Sequence, residues 1–196
     1  MNCCNTSLPV NLIKKINGVK KVLSQADRHV ARFQVHANIH CLFKCGTCCT
    51  KNDIQTTILE FLPAAHELFL KDEYQVILDK LENQTDTSCI FYNPFLEIGF
   101  CSGYTYRGLI CRLFGFSVNT AKNGIPFLTT CKYIKQTTDL KSLQEHLIHA
   151  PDMTDYYLRL YGLDPKLSVQ YFPINESIKK ALDIVLFHFQ YTKKPA

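Results

Sequence analysis

Between Asn11 and about His36, apolar residues return at Leu12, Ile16, Val19, Val22, Leu23, Ala26, Val30 and Phe33. Steps of three and four align these positions on one face, so the segment predicts a long amphipathic helix, weakened in its first half by Gly18. Its apolar stripe needs cover, and we expect it to pack over the cysteine-rich chain that follows. Thr57-Ile58-Leu59-Glu60 then reads as a capping box opening a second helix: the Thr57 hydroxyl accepts from the Glu60 amide and the Glu60 carboxylate reaches back. Pro63 lies beyond the first turn, where proline is best tolerated, so either the start is displaced or the helix kinks. A third helix, about Glu73 to Glu82, is expected to turn Val76, Ile77, Leu78 and Leu81 inward.

From Thr85 to Cys131 the texture changes. Pro94, Gly99, Gly103, Gly108 and Gly115 punctuate short apolar pieces such as Cys89 to Tyr92 and Leu96 to Cys101. This predicts loop-rich chain with room for short strands, whose order needs a source besides regular hydrogen bonding. Helix patterns return at Leu140 to His149, Met153 to Tyr161 and Glu176 to about Gln190, the last capped by Asn175. Gly162 and Pro165 are expected to separate the second of these from the third. The reading is a mainly α single domain with a loop-rich, cysteine-ligated metal-binding centre. Residues 1–37 form an N-terminal helix on the core, 38–135 the cysteine-cluster core, and 136–196 a C-terminal helical segment.

Length supports this, since 196 residues can bury one sizeable core. Ten cysteines change the picture further. Four of them fall within Cys41-Leu42-Phe43-Lys44-Cys45-Gly46-Thr47-Cys48-Cys49, and buried structural thiols do not normally crowd this way. Cys45 and Cys48 have the spacing of a metal knuckle, with Gly46 expected to supply the positive φ such a turn often needs. The N-terminus shows no basic segment followed by an apolar run, so we expect a cytoplasmic protein with reduced thiols. No apolar run approaches a membrane span; Ala181 to Phe189 is interrupted by Asp183 and His188.

The formal charge of +5 suggests an anionic partner, but thiolate ligands are missing from that count. Eight thiolates on two centres of about +2 each would bring the net charge down to about +1. Lys44, Lys51, Arg107, Arg112, Lys132 and Lys135 each lie close to a cysteine in sequence, where compensation is local. No nucleic-acid motif, phosphate loop or His-Glu-x-x-His signature is present. His40 adjoins the cluster as a candidate ligand, and His146 and His149 share a face without a metal-site signature.

The cysteine order resembles a known family. Cys41 through Gly46 to Cys48-Cys49, then Cys89-Ile90-Phe91, then Cys101-Ser102-Gly103-Tyr104 leading to Arg107 and Cys111-Arg112-Leu113-Phe114-Gly115-Phe116, is similar to the YkgJ-type cysteine-cluster family. The resemblance covers about residues 38–135 and implies a zinc- or iron-chelating domain. Three residues rather than two separate Cys41 from Cys45, and Gly108 and Gly115 stand where the family has prolines, which would loosen the turns around Cys111. Some relatives, including proteins similar to flagellin lysine methylase, look like iron–sulfur proteins. The resemblance therefore also implies an alternative, an iron–sulfur-dependent redox or protein-modifying enzyme.

The candidate metal ligands are Cys41, Cys45, Cys48, Cys49, Cys89, Cys101, Cys111 and Cys131, which divide by count into two sets of four. Two zinc ions, a [4Fe–4S] cluster with spare thiols, or a mixture fit that number. Adjacent Cys48 and Cys49 diverge along an extended chain, so they serve different ions or a body larger than one ion. Arg107 and Arg112 are candidate cofactor-binding residues, placed to bond ligand sulfurs or anchor neighbouring carbonyls. Tyr92, Tyr104, Phe114 and Phe116 are expected to exclude water. Cys3 and Cys4 are read as bystanders. The expected function is a metal-binding protein with a structural, metal-handling or protein-interacting role.

Overall fold

A computed structural model describes residues 8–43, 45–95, 99–139 and 142–192. Cys3, Cys4, Lys44, Leu96 and the Leu140 start of one expected helix lie outside the described residues. The first helix, α1, runs Leu8–Ala37. Every residue of its apolar stripe from Leu12 to Phe33 is buried, and Phe33 is fully enclosed. The helix stops where Asn38 turns left-handed at φ 47° and Ile39 N–H returns to the Gln34 carbonyl at 3.2 Å. Asparagine tolerates that conformation, and buried Ile39 pins the turn, so the chain is aimed at the first cysteines.

Strand β1 (Gln55–Thr57) leads straight into α2 (Ile58–Leu70), whose start is the expected capping box. Pro63 lies inside α2 and does not displace that start. A second left-handed residue, Asp72 at φ 58°, ends α2 before α3 (Tyr74–Asn83). Here one expectation fails: Ile77 is buried, but Val76 is 54% exposed. Helix α3 packs chiefly against α2 and, later, the C-terminal helix, so its buried face is too narrow for a residue about 100° from Ile77.

The middle of the chain has more regular bonding than its composition suggests. Strands β2 (Tyr92–Asn93) and β3 (Phe100–Cys101) pair antiparallel. A short helix α4 (Leu109–Leu113) follows, then the hairpin of β4 (Ser117–Thr120) with β5 (Pro126–Thr129). Helix α5 (Lys132–Thr137) was not foreseen; it begins on Cys131. The expected helix ending at His149 is instead a 3₁₀ turn over Gln144–His149. Such short runs give too few buried positions for a 3.6-residue pattern to assert itself.

Helix α6 (Met153–Leu163) is capped by Asp152, which accepts from the Asp155 amide at 3.2 Å. It continues through Gly162, because buried Met153, Tyr156 and Leu160 offset the roughly 1 kcal/mol a helical glycine costs. Strand β6 (Tyr171–Pro173) pairs with β1 and delivers α7 (Ile174–Thr192), which packs along α2. Asn175 is therefore inside α7 rather than its cap.

Residues of α1, α2, α4, α6, α7 and the central loops join one buried apolar cluster that includes Cys89, Phe91 and Cys101. The fold is mainly α, and none of its described helices is long and apolar enough to cross a membrane. Trimming the α1 stripe tests that packing: Ile16→Val should cost about 0.5–1.5 kcal/mol in urea unfolding, since Ile16 is 1% exposed.

Candidate metal centre

The cysteine knuckle is made of tight turns. Cys45 N–H bonds the Leu42 carbonyl at 3.0 Å, and Cys49 N–H bonds the Gly46 carbonyl at 2.8 Å. Gly46 does not use a positive φ; its φ is −110°. It is needed for closeness, because a Cβ there would lie 2.7 Å from the Phe100 backbone, where Cys45 bridges to Phe100. Gly115, like Gly99 and Gly124, has a positive φ, here 99°, a conformation closed to the proline the family resemblance carries there. It turns the chain out of α4, which bears Cys111.

Further contacts bring distant cysteines to the knuckle. Cys89 N–H donates to the Cys49 carbonyl at 2.8 Å, and Cys101 pairs with Tyr92 three residues beyond Cys89. Cys131 caps α5, its sulfur accepting from the Ile134 amide at 3.5 Å. The eight described cysteines are all free thiols. All but Cys131 line one cavity of about 520 Å3.

The mutual effects of the thiols sort them into two sets. Burial pushes Cys41 up to about 12, reinforced by Cys45, Cys131 and Cys48. Burial likewise pushes Cys48 up to about 11, with Cys131 and Cys45 adding to it. Cys49 hydrogen-bonds Cys101, which holds its thiol down, and Cys89, which together with burial pushes it up to about 12. The Cys101 thiol is raised by its bond to Cys49 and by burial. Cys111 is raised by burial first, then by Cys49 and Glu60. By these effects Cys41, Cys45, Cys48 and Cys131 form one group and Cys49, Cys89, Cys101 and Cys111 another, joined where Cys48 also raises the Cys49 thiol. Cys48 and Cys49 lie in a 3₁₀ turn over Thr47–Thr50, not in the extended chain expected for them.

Among the described residues, no three His, Cys, Asp or Glu side chains converge closely enough to hold an ion as they stand. Cys41 instead hydrogen-bonds Cys45, and Cys49 hydrogen-bonds both Cys89 and Cys101. Crowded, partly buried thiolates repel one another, so the neutral form prevails until a cation offsets that repulsion. In donor chemistry and number both sets suit a soft or borderline metal.

Arg107 stacks on Tyr104, its guanidinium carbon 3.6 Å from the ring centre, and donates to the Cys111 carbonyl at 3.4 Å. Its charge draws the Cys101 and Cys111 thiols downward against the larger effects that raise them. Arg112 pairs with Asp27 of α1 and donates to the Arg107 and Thr105 carbonyls at 2.9 and 3.0 Å. It fastens the approach to α4 onto α1. Tyr104, Phe114 and Phe116 line the cavity, but Tyr92 does not; its ring covers Gly99. His40 is exposed and outside the cavity wall.

Sequence reasoning missed two supports. Asn175 accepts from the Ile90 amide at 2.8 Å and donates to the Ser88 carbonyl at 2.7 Å, gripping both neighbours of Cys89. Nothing local to either segment announces a contact 85 residues apart. Glu60, besides closing its own capping box, accepts from the Ile110 amide beside Cys111 at 3.2 Å. Asn175→Ala should cost about 1–2 kcal/mol in thermal unfolding and lower metal content through Cys89.

These features define a thiol-rich chelating domain framed by helices. The CxxCxxCC family, described as "Putative zinc- or iron-chelating domain", matches residues 40–142, and the chain belongs to it. The YkgJ-type resemblance is consistent with that family. No curated protein and no solved structure matches the chain.

Proposed function

We propose that the chain is a cytoplasmic thiolate metal-binding protein in which each four-cysteine set holds zinc or an iron–sulfur centre. The observation that carries this reading is the different company of two adjacent thiols: Cys48 is affected by Cys131 and Cys45, whereas Cys49 hydrogen-bonds Cys101 and Cys89, partners from remote turns. Four thiolates close the coordination of a structural ion, which suits a role in fastening the central loops and presenting them to a protein partner. In this reading residues 38–135 carry the metal, while 1–37 and 136–196 frame it.

A second reading, an iron–sulfur redox or protein-modifying enzyme, draws on the cavity. Its volume of about 520 Å3 leaves space beside the sulfurs, walled by Phe61, Phe91, Phe114 and Tyr104. Such a mostly apolar cleft with Arg107 at its edge is the size of a small-ligand site.

Anaerobic purification of the full chain, followed by metal and sulfide analysis and an absorption spectrum, tests both. Colourless protein with about two zinc per chain supports paired structural sites. Brown protein with iron and sulfide supports a cluster and keeps the enzyme reading. Metal-free protein with every thiol reactive would overturn the proposal.

A further inference from the structure

At the C-terminal end of α1, a second arrangement of metal-ligating side chains stands apart from the cysteines. The rings of His36, near the end of α1, and His149, at the end of the 3₁₀ turn, have centres 5.3 Å apart and planes tilted by 46°. Both residues are exposed. His36 Nδ1 lies 3.0 Å from the Arg32 carbonyl. A carbonyl only accepts, so Nδ1 carries the proton and the Nε2 lone pair faces away from the helix backbone. A neutral imidazole held in this way is the form in which histidine ligates metals.

The main chain that carries the partner ring is also held. The buried Leu147 and Ala150 anchor the turn, with Ala150 N–H on the Leu147 carbonyl at 3.0 Å. His29, one heptad before His36, hydrogen-bonds the backbone of His149 and sits 3.2 Å from the Tyr156 hydroxyl. His149 is thereby positioned by its main chain while its ring remains at the surface.

The separation matches a shared ion. With zinc–nitrogen bonds of about 2.0–2.1 Å and a tetrahedral angle of about 109°, two imidazole centres stand about 5 Å apart. We propose that His36 and His149 form a surface two-histidine site for a borderline divalent transition ion such as Zn²⁺, with water completing the coordination. The Arg32 cation one turn below His36 disfavours a second positive charge, so this site is weaker than the thiolate sets. Loss of ligation when a ring nitrogen is removed is the decisive test.

The test uses the full chain, anaerobic and already saturated at its thiols, titrated calorimetrically with Zn²⁺ at neutral pH. One further equivalent is expected, weakened at least tenfold by His36→Ala and by His149→Ala and unchanged by His40→Ala. All three positions are exposed, and unchanged circular dichroism confirms that the variants fold. Absence of the extra equivalent, its survival in either His36→Ala or His149→Ala, or equal weakening by His40→Ala overturns the site. The metal content before titration reports separately on the thiolate reading.

Discussion

Serine at position 48 should remove the metal of one sulfur set and leave the other filled, whereas serine at position 49 should do the reverse. The two residues are adjacent, equally crowded and both partly buried, so a general loosening of the knuckle would affect them alike. What distinguishes them is company. Cys48 feels Cys131 and Cys45, while Cys49 is hydrogen-bonded to Cys101 and Cys89 and feels Cys48 least of its neighbours. A serine hydroxyl stays protonated at neutral pH and cannot replace a thiolate ligand, so each substitution opens one set only. Metal per chain, measured after anaerobic purification, should fall by about half in each variant, and the double variant should lose nearly all. Cys131→Ser should reproduce the loss of Cys48→Ser, and Cys111→Ser that of Cys49→Ser. Complete loss in every single variant would point to one centre spanning all the sulfurs.

The same contrast shows what the chain discloses on its own. The α1 stripe was legible because every one of its apolar positions answers to a helical period, and local period decides which face is buried. The Thr57–Glu60 box was legible because its partners are three residues apart. The crowding of Cys41 to Cys49 announced chelation, and the family match extends it to residue 142. The partition of the eight cysteines that we propose was not legible. It rests on where β3, α4 and α5 return to the knuckle, and short elements carry no long-range address in their own residues. Gly46 illustrates a subtler limit: glycine was expected for its backbone freedom and is used for its missing side chain against Phe100. Asn175 looked like a helix cap because it precedes an amphipathic run, yet it grips the Cys89 turn instead.

Removing the Glu60 carboxylate should be the most damaging single change outside the cysteines. Glu60 is 1% exposed, and burial pushes its carboxyl up while donors from Thr57, Ile110 and Leu109 oppose that rise. One oxygen accepts from the Thr57 amide at 2.9 Å and hydroxyl at 3.1 Å; the other accepts from the Ile110 amide at 3.2 Å. A single side chain thus closes the start of α2 and holds the first turn of α4. Alanine would leave several buried donors without partners, and each such donor costs about 1–3 kcal/mol. Because the freed groups partly relax together, the expected total in urea unfolding is about 3–4 kcal/mol. Glutamine retains one acceptor but turns an amino group toward donors, so Glu60→Gln should fall between alanine and the natural residue. The consequence for metal is directional. Ile110 directly precedes Cys111, so the Cys49, Cys89, Cys101 and Cys111 set should lose occupancy while Cys41, Cys45, Cys48 and Cys131 keep theirs. Equal loss from both sets in Glu60→Ala would mean that Glu60 supports the fold at large and does not position α4.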